Sequence, residues 1–475
     1  MKTALIITLG SRDIQFAANL PANDFIKQAA DGDSDVYPDK NFPGVLFLKS
    51  ARKHGQIINE HFDFFYPYLL YPIVKPAIEY LKQFTQVTFR ELIIVHTDQE
   101  RTNPEKSAGD TLHFAQIIEK LVRNDFHSLF NSVHHIKVEE HVTEYDSMYD
   151  FFTGKFREPP ISEFERNAKI FLLPQGGIDQ INTALLFKCM EEFPNMVQLS
   201  KPEKSGPDEQ DRPIPLEFNQ RFYTAINKKK IVHALEHFYY HLINEELTAD
   251  RLILLYAAYA SARLGLHGEE AESIRNQLLI KDRTGWVLKK LLPLQDDNLS
   301  LQKEYYLALK ITLKQKNYTD FVIRLSSLHQ SMLKKFISDK YKKDIPETWD
   351  GAQQAWDEIL KSSDELWNYL SNHKTSKGQP IHYQEPSASV FQIVFNHFAQ
   401  GDEKRLMPIF RLMEKSNEIR NRAAHQLKPV LKTDIDTLFD NKPAEEVLKP
   451  FDNYFNVKGF GIYDEMNQKI LSLLQ

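Results

Sequence analysis

Ile170-Phe171-Leu172-Leu173-Pro174-Gln175-Gly176-Gly177-Ile178-Asp179-Gln180 is the stretch on which the fold of the N-terminal half turns. Four apolar residues read as a short buried strand, and they stop at a proline and two glycines. Apolar residues then recur at helical spacing from Ile178 to Met190. Working outward, the same succession of strand, polar loop and helix appears again. Ala4 to Leu9 is an apolar run ending in Gly10. Leu92 to Val95 is another, ending in His96-Thr97-Asp98, and a helical pattern covers Leu112 to Val122. Repetition of that unit implies an α/β domain with a parallel sheet and crossover helices. Ligands of such sheets bind beyond the carboxyl ends of the strands, where all three loops lie.

Residues 201–215 change character, being rich in Pro, Lys, Asp and Glu, and read as a linker or long loop. Beyond them the pattern is helical. A helix with an aromatic stripe is expected from Tyr223 to Leu247 and another from Arg251 to Leu264. Others follow over 301–314, 319–343, 352–370, 387–399 and 403–426. The expected organisation is a ligand-binding α/β domain over 1–200, the linker 201–215, a helical connector over 216–300 and an all-α domain over 301–475.

The bulk properties limit the function. A chain of 475 residues suits two or three domains. Its net charge of −6 excludes a blanket electrostatic grip on nucleic acid, so any RNA contact must be local. A lone cysteine, Cys189, makes no intrachain disulfide and points to a reducing compartment. The apolar run at Ala4–Leu9 is shorter than a usual signal peptide, and no run approaches a membrane span. A cytoplasmic protein with no membrane partner is expected.

Three motifs carry possible chemistry. His233-Ala234-Leu235-Glu236-His237 has the H-x-x-E-H spacing of an inverted zincin. No third ligand is identifiable beyond the two histidines, and histidines at a helix surface or core edge account for the pattern, so no metal is expected. The Gln175–Gln180 loop opens a helix, and its two glycines suit either a tight turn or a phosphate cradle. Arg420-Asn421-Arg422-Ala423-Ala424-His425 lies late in a helix that should end near Pro429. Asn421 and His425 share a helix face, with Arg420 one step away. Arginine supplies fixed charge and forked donors to a phosphodiester. Histidine exchanges protons near neutrality. RNA brings its own nucleophile, the 2′-hydroxyl, so such a site needs no metal. A solvated basic helix end is the alternative. Transesterification takes one proton from the 2′-hydroxyl and gives one to the leaving 5′-oxygen. Two such helices across a two-fold axis would supply two histidines and two arginines.

Taken together, the two halves resemble the CARF–HEPN ribonucleases of type III CRISPR systems, most closely the group associated with the Csm effector complex. CARF denotes a Rossmann-like sensor domain, and HEPN an α-helical nuclease domain whose motif has four to six residues between Arg and His. The residues that carry the resemblance are Gly10-Ser11-Arg12-Asp13, Ile94 to Gln99, Gln175 to Gln180, the helical middle, and Arg420 to His425 with four residues between. The resemblance implies a homodimer whose sensor domains bind a cyclic oligoadenylate, a tetra- or hexa-adenylate ring, as allosteric activator. No other cofactor and no stable binding to the effector complex are implied. It further implies antiviral cleavage of single-stranded RNA to a 2′,3′-cyclic phosphate and a 5′-hydroxyl. Thr8, Gly10, Ser11 and Arg12 with Thr97, Asp98 and Gln99 would wall the activator pocket. Gly176 and Gly177 would let backbone approach the phosphates, and Gln175 and Gln180 would reach phosphate or base edges. His425 would be the general acid/base, Arg420 the phosphate stabiliser and Asn421 an orienting donor. Arg422 would face RNA or solvent. Lys334, Lys335, Lys340, Lys342 and Lys343 would guide RNA or form a solvated helix face. Two competing readings remain: a sensor without enzymatic function, and an enzyme that chiefly degrades the cyclic oligoadenylate.

Overall fold

β1 (Thr3–Thr8) is buried at every position, as a strand flanked by neighbours and covered on both faces must be. It pairs in parallel with β6 (Glu91–Thr97) on one side and β8 (Lys169–Leu173) on the other. β7 (Ser132–Val138) extends the sheet beyond β6. β9 (Val197–Leu199) and the antiparallel β10 (Pro215–Leu216) extend it beyond β8. The chain leaves β1 toward β6 and β7, then returns to β8 on the opposite side. The switch point of this doubly wound sheet therefore lies between β1 and β8, where such folds open a crevice for a ligand.

The computed structural model describes residues 3–17, 36–38, 45–48, 50–84, 89–202, 213–291, 298–375, 378–426 and 428–475. They form two units, Met1–Ala225 and Ile226–Gln475. Most of the linker expected at 201–215 lies outside the described residues. Side-chain alternation assigns the faces of the sheet in the first unit. Leu5, Ile7, Leu92, Ile94, Phe171 and Leu173 point to one side, against the helices Ala51–Glu60, Val74–Phe84 and Leu112–Asp125. Ala4, Ile6, Ile93, Val95, Ile170 and Leu172 point to the other, against Tyr145–Lys155 and Asp179–Glu192. A small antiparallel sheet is inserted between β1 and β6. It consists of β2 (Gln15–Ala17), β3 (Val36–Pro38), β4 (Val45–Leu48) and β5 (Leu69–Leu70) in the order β3-β4-β2-β5.

The second unit is all-α among the described residues, apart from an isolated bridge between Lys374 and Pro380. One hydrophobic core runs from Ile231 to Ile470. Helices within 226–291, read from sequence as a connector, share that core with the later ones. The helix expected from Tyr223 to Leu247 instead spans Phe218–Glu236. It stops because Phe238 takes a left-handed backbone (φ +56°), and the Tyr239 N–H turns back to the Ala234 carbonyl at 2.8 Å. The helix expected over 352–370 is two helices, Trp349–Ser362 and Asp364–Asn372. Ser363 ends the first and caps the second, its hydroxyl accepting from Leu366 N. Fold class is as expected: a Rossmann-like parallel sheet followed by an all-α region. Among the described residues, no helix is long and apolar enough to cross a membrane.

Candidate functional site

The loops after β1 and β8 meet at the switch point, and they meet backbone to backbone. A Cβ on Gly176 would lie 2.5 Å from the Thr8 carbonyl oxygen and 2.6 Å from Gly10 N, and closer still to an Asp13 carboxylate oxygen. Gly177 has φ +85°, and a Cβ there would sit 2.7 Å from the Leu9 carbonyl oxygen. The glycine pair therefore serves first to let one loop press against the other. Asp13 shapes the first of these loops, its carboxylate accepting the Gly10 N–H at 2.5 Å. Complete burial pushes the Asp13 carboxyl up to about 7, against the opposing pull of the Gly10 N–H and Lys201. Among the described residues, the other Asp13 oxygen and the buried Thr8 hydroxyl make no hydrogen bond.

Around this junction, Ser11, Arg12 and Gly177 are exposed, and Gly10, Gln175 and Gln180 are half-buried. The Gln175 amide donates to the Leu199 carbonyl at 3.2 Å. The helix Asp179–Glu192 starts at Ile178 without a side-chain cap, so its first N–H groups face this loop. Nearby, Arg12 and Lys201 line a cavity of about 880 Å³ together with Gln15, Lys75 and two tyrosines. Those tyrosines, Tyr66 and Tyr71, both donate to Asp125, at 2.6 and 2.5 Å.

Thr97 ends β6, on the other flank of β1, and Asp98 and Gln99 follow it; their polar groups are engaged within the protein. Thr97 N–H donates to the Thr111 hydroxyl at 3.1 Å, and Thr111 N–H to the Thr97 hydroxyl at 3.2 Å. Gln99 donates to the fully buried Asp110 through its backbone N–H (2.6 Å) and its side-chain amide (3.1 Å). Arg52 spans Asp98 and Asp110 with one guanidinium nitrogen and Glu100 with another. Burial opposes ionisation of Asp98, but Arg52 and Lys137 hold its carboxyl below the usual range. Arg52 and Asp110 escaped sequence reasoning because they are 46 and 12 residues from Asp98 and belong to no motif.

In the second unit, the helix Met407–Gln426 carries the Arg420–His425 segment in its last two turns. Ile409, Phe410, Met413 and Ser416 bury one face, and Ile419 and Ala423 pack beside it. The opposite face is exposed at Glu414, Glu418, Asn421 and His425, which follow one another at helical spacing. Arg420 continues the stripe of Met413 and Ser416, about 100° round the helix from Asn421, is half-buried, and reaches across to donate to the Asn421 side-chain oxygen at 2.9 Å. Arg422 points the other way and pairs with Asp434. The Leu431 N–H does most to hold the Asp434 carboxyl low; burial opposes it, and Arg422 adds to the lowering. The helix is tied to Tyr318–Tyr341 by the Ser326 hydroxyl donating to Asn417 (3.0 Å). The segment beyond it is tied to the same helix by Val430 N–H donating to the Thr319 hydroxyl (3.3 Å). Asn421 and His425 thus share the exposed face of a braced helix end, Arg420 reaches Asn421 from beside it, and Arg422 belongs to the bracing. The lysine cluster is largely neutralised by its surroundings. Lys334 pairs with Glu347, Lys335 with Asp339 and Lys343 with Glu358, while Lys340 lies over the Phe398 ring.

A Rossmann-like sheet followed by an all-α unit ending in this segment is the arrangement that the CARF–HEPN resemblance implies. Residues 291–471 match the family model described as the Cas_Csm6 HEPN domain. The whole chain superposes on the structure of Enterococcus italicus Csm6 bound to cyclic hexa-2′-fluoro-hexa-dAMP. That match has a TM-score of 0.52 and 13% identity and covers 100% of both chains. No curated protein matches the chain. Residues 291–471 are thus similar to the Csm6 HEPN domain, and the chain shares the fold of the Enterococcus protein.

Proposed function

We propose that the chain is a metal-independent endoribonuclease of type III CRISPR defence, switched on when its N-terminal unit binds a cyclic oligoadenylate. The observation that carries this reading is the exposed face bearing Asn421 and His425, with the Arg420 side chain bonded to Asn421, in a region similar to the Csm6 HEPN domain. In the proposed reaction the RNA 2′-hydroxyl attacks phosphorus and the 5′-oxygen leaves, giving a 2′,3′-cyclic phosphate and a 5′-hydroxyl. Arg420 neutralises the charge that gathers on the phosphoryl oxygens. His425 exchanges the protons and Asn421 orients the phosphate. One chain offers one histidine for two proton transfers, so the complete site is composite, formed by two chains across a two-fold axis.

The activator is assigned to the switch point, with Ser11, Arg12, Gln175 and Gln180 around the Gly10–Gly177 junction. The Enterococcus relative holds a cyclic hexa-adenylate analogue, which favours the six-membered ring over the tetra-adenylate. A cleavage assay on fluorogenic single-stranded RNA with linear and cyclic tri-, tetra- and hexa-adenylates tests this. Activation by a single cyclic species is expected. Absence of cleavage with every ring, despite ring binding, would favour a sensor without enzymatic function.

A further inference from the structure

The last turn of the helix Phe218–Glu236 and the residue beyond it bring three ligating groups together outside both sites above. The ligand atoms of His233, Glu236 and His237 all lie within 4.8 Å of one another. From sequence the two histidines lacked a third ligand. The structure supplies it as Glu236, because positions i, i+3 and i+4 share one helix face. His237 Nδ1 lies 3.0 Å from the His233 carbonyl oxygen. A carbonyl oxygen only accepts, so Nδ1 carries the proton and donates it, leaving Nε2 as the ring atom with a lone pair. Metal-binding histidines are held in that manner, with the second ring nitrogen donating to a carbonyl or carboxylate.

The surroundings hold this arrangement in place. The His237 ring stacks on Tyr239, with centroids 5.8 Å apart and planes 11° from parallel. Gln315 donates its amide to the carbonyl oxygens of His237 (3.0 Å) and Phe238 (3.2 Å). Phe238 is itself buried against the Phe460 ring at 4.6 Å. A solvated helix end needs no such bracing of its last residue.

We propose that His233, Glu236 and His237 form a binding site for one divalent transition-metal ion, of which Zn²⁺ is the probe. Two imidazoles and a carboxylate suit zinc, nickel or copper and disfavour magnesium and calcium, which take all-oxygen sets. Three protein ligands leave a fourth position to water. The site shares no residue with Arg420–His425, so its role is to fix the helix end and not to cleave RNA.

The test compares chelator-treated full-length protein with a His233→Ala/His237→Ala variant. Both histidines lie at or near the surface, and far-UV circular dichroism verifies that the variant folds. Zinc titration against a chromophoric chelator should show one more equivalent per chain in the wild type than in the variant. Glu236→Gln should weaken that equivalent. Zinc should also raise the melting temperature of the wild type and not of the double variant. Equal zinc stoichiometry and affinity in the two proteins would overturn the proposal, as would displacement of zinc by equimolar Mg²⁺. RNA cleavage by the double variant in EDTA separates this proposal from the proposed activity, since cleavage there does not depend on the zinc outcome.

Discussion

Single residues decide how the two loops at the switch point can approach. Gly176 has no room for a methyl group against the Thr8 carbonyl, Gly10 N and Asp13. Gly176→Ala should therefore lower unfolding stability by about 1–3 kcal/mol, the usual cost of forced overpacking. Urea denaturation reads this, and an unchanged midpoint would show that the loops are not in contact. Asp13 makes the same junction sensitive to pH. Its carboxyl rises from the ordinary 3.8 to about 7 on folding, so the folded state holds the proton more tightly. Its stabilising contribution is complete below about pH 4 and is lost as pH rises to about 7. Asp13→Asn keeps an oxygen to accept the Gly10 N–H and has no proton to lose. Unfolding followed from pH 4 to 8 should show the wild type losing stability relative to this variant across that window. Parallel curves would contradict the assignment.

At the scale of elements, Arg52 joins the helix Ala51–Glu60 to the loops after β6 and before the helix Leu112–Asp125. Arg52→Ala leaves the fully buried Asp110 without its cation, a loss of about 3–5 kcal/mol. Arg52→Lys should not restore it, since an ammonium cannot serve Asp98, Glu100 and Asp110 from one fork. Thermal melting of the two variants is the measurement, and full stability of either would contradict the network. This element also shows what was legible in the sequence. β1, β6 and β8 were plain because interior parallel strands are continuous apolar runs. β7 was not, because it is an edge strand carrying His134, His135 and Lys137. The inserted sheet has strands of two to four residues, too short to show a period. The helix bearing Arg420 to His425 was legible from its amphipathic spacing. The engagement of Thr97, Asp98 and Gln99 was not, because their partners lie elsewhere in the chain.

For the whole molecule, the central question is whether two chains make one site. Two differently tagged copies, one wild type and one His425→Ala, can be coexpressed and the mixed dimer purified. A composite site predicts that this dimer cleaves RNA at well below half the rate of the wild-type dimer, whereas half the rate would mean independent sites.

The most direct measurement is cleavage of fluorogenic single-stranded RNA with the activating ring in excess EDTA, for wild type and His425→Ala, with ring binding followed by calorimetry. The wild type should cleave undiminished in EDTA. His425→Ala should bind the ring equally well yet cleave about 10²–10⁴-fold more slowly, as expected for loss of a general acid/base. Abolition of wild-type cleavage by EDTA, or undiminished cleavage by His425→Ala, would contradict a metal-free reaction centred on Arg420 to His425.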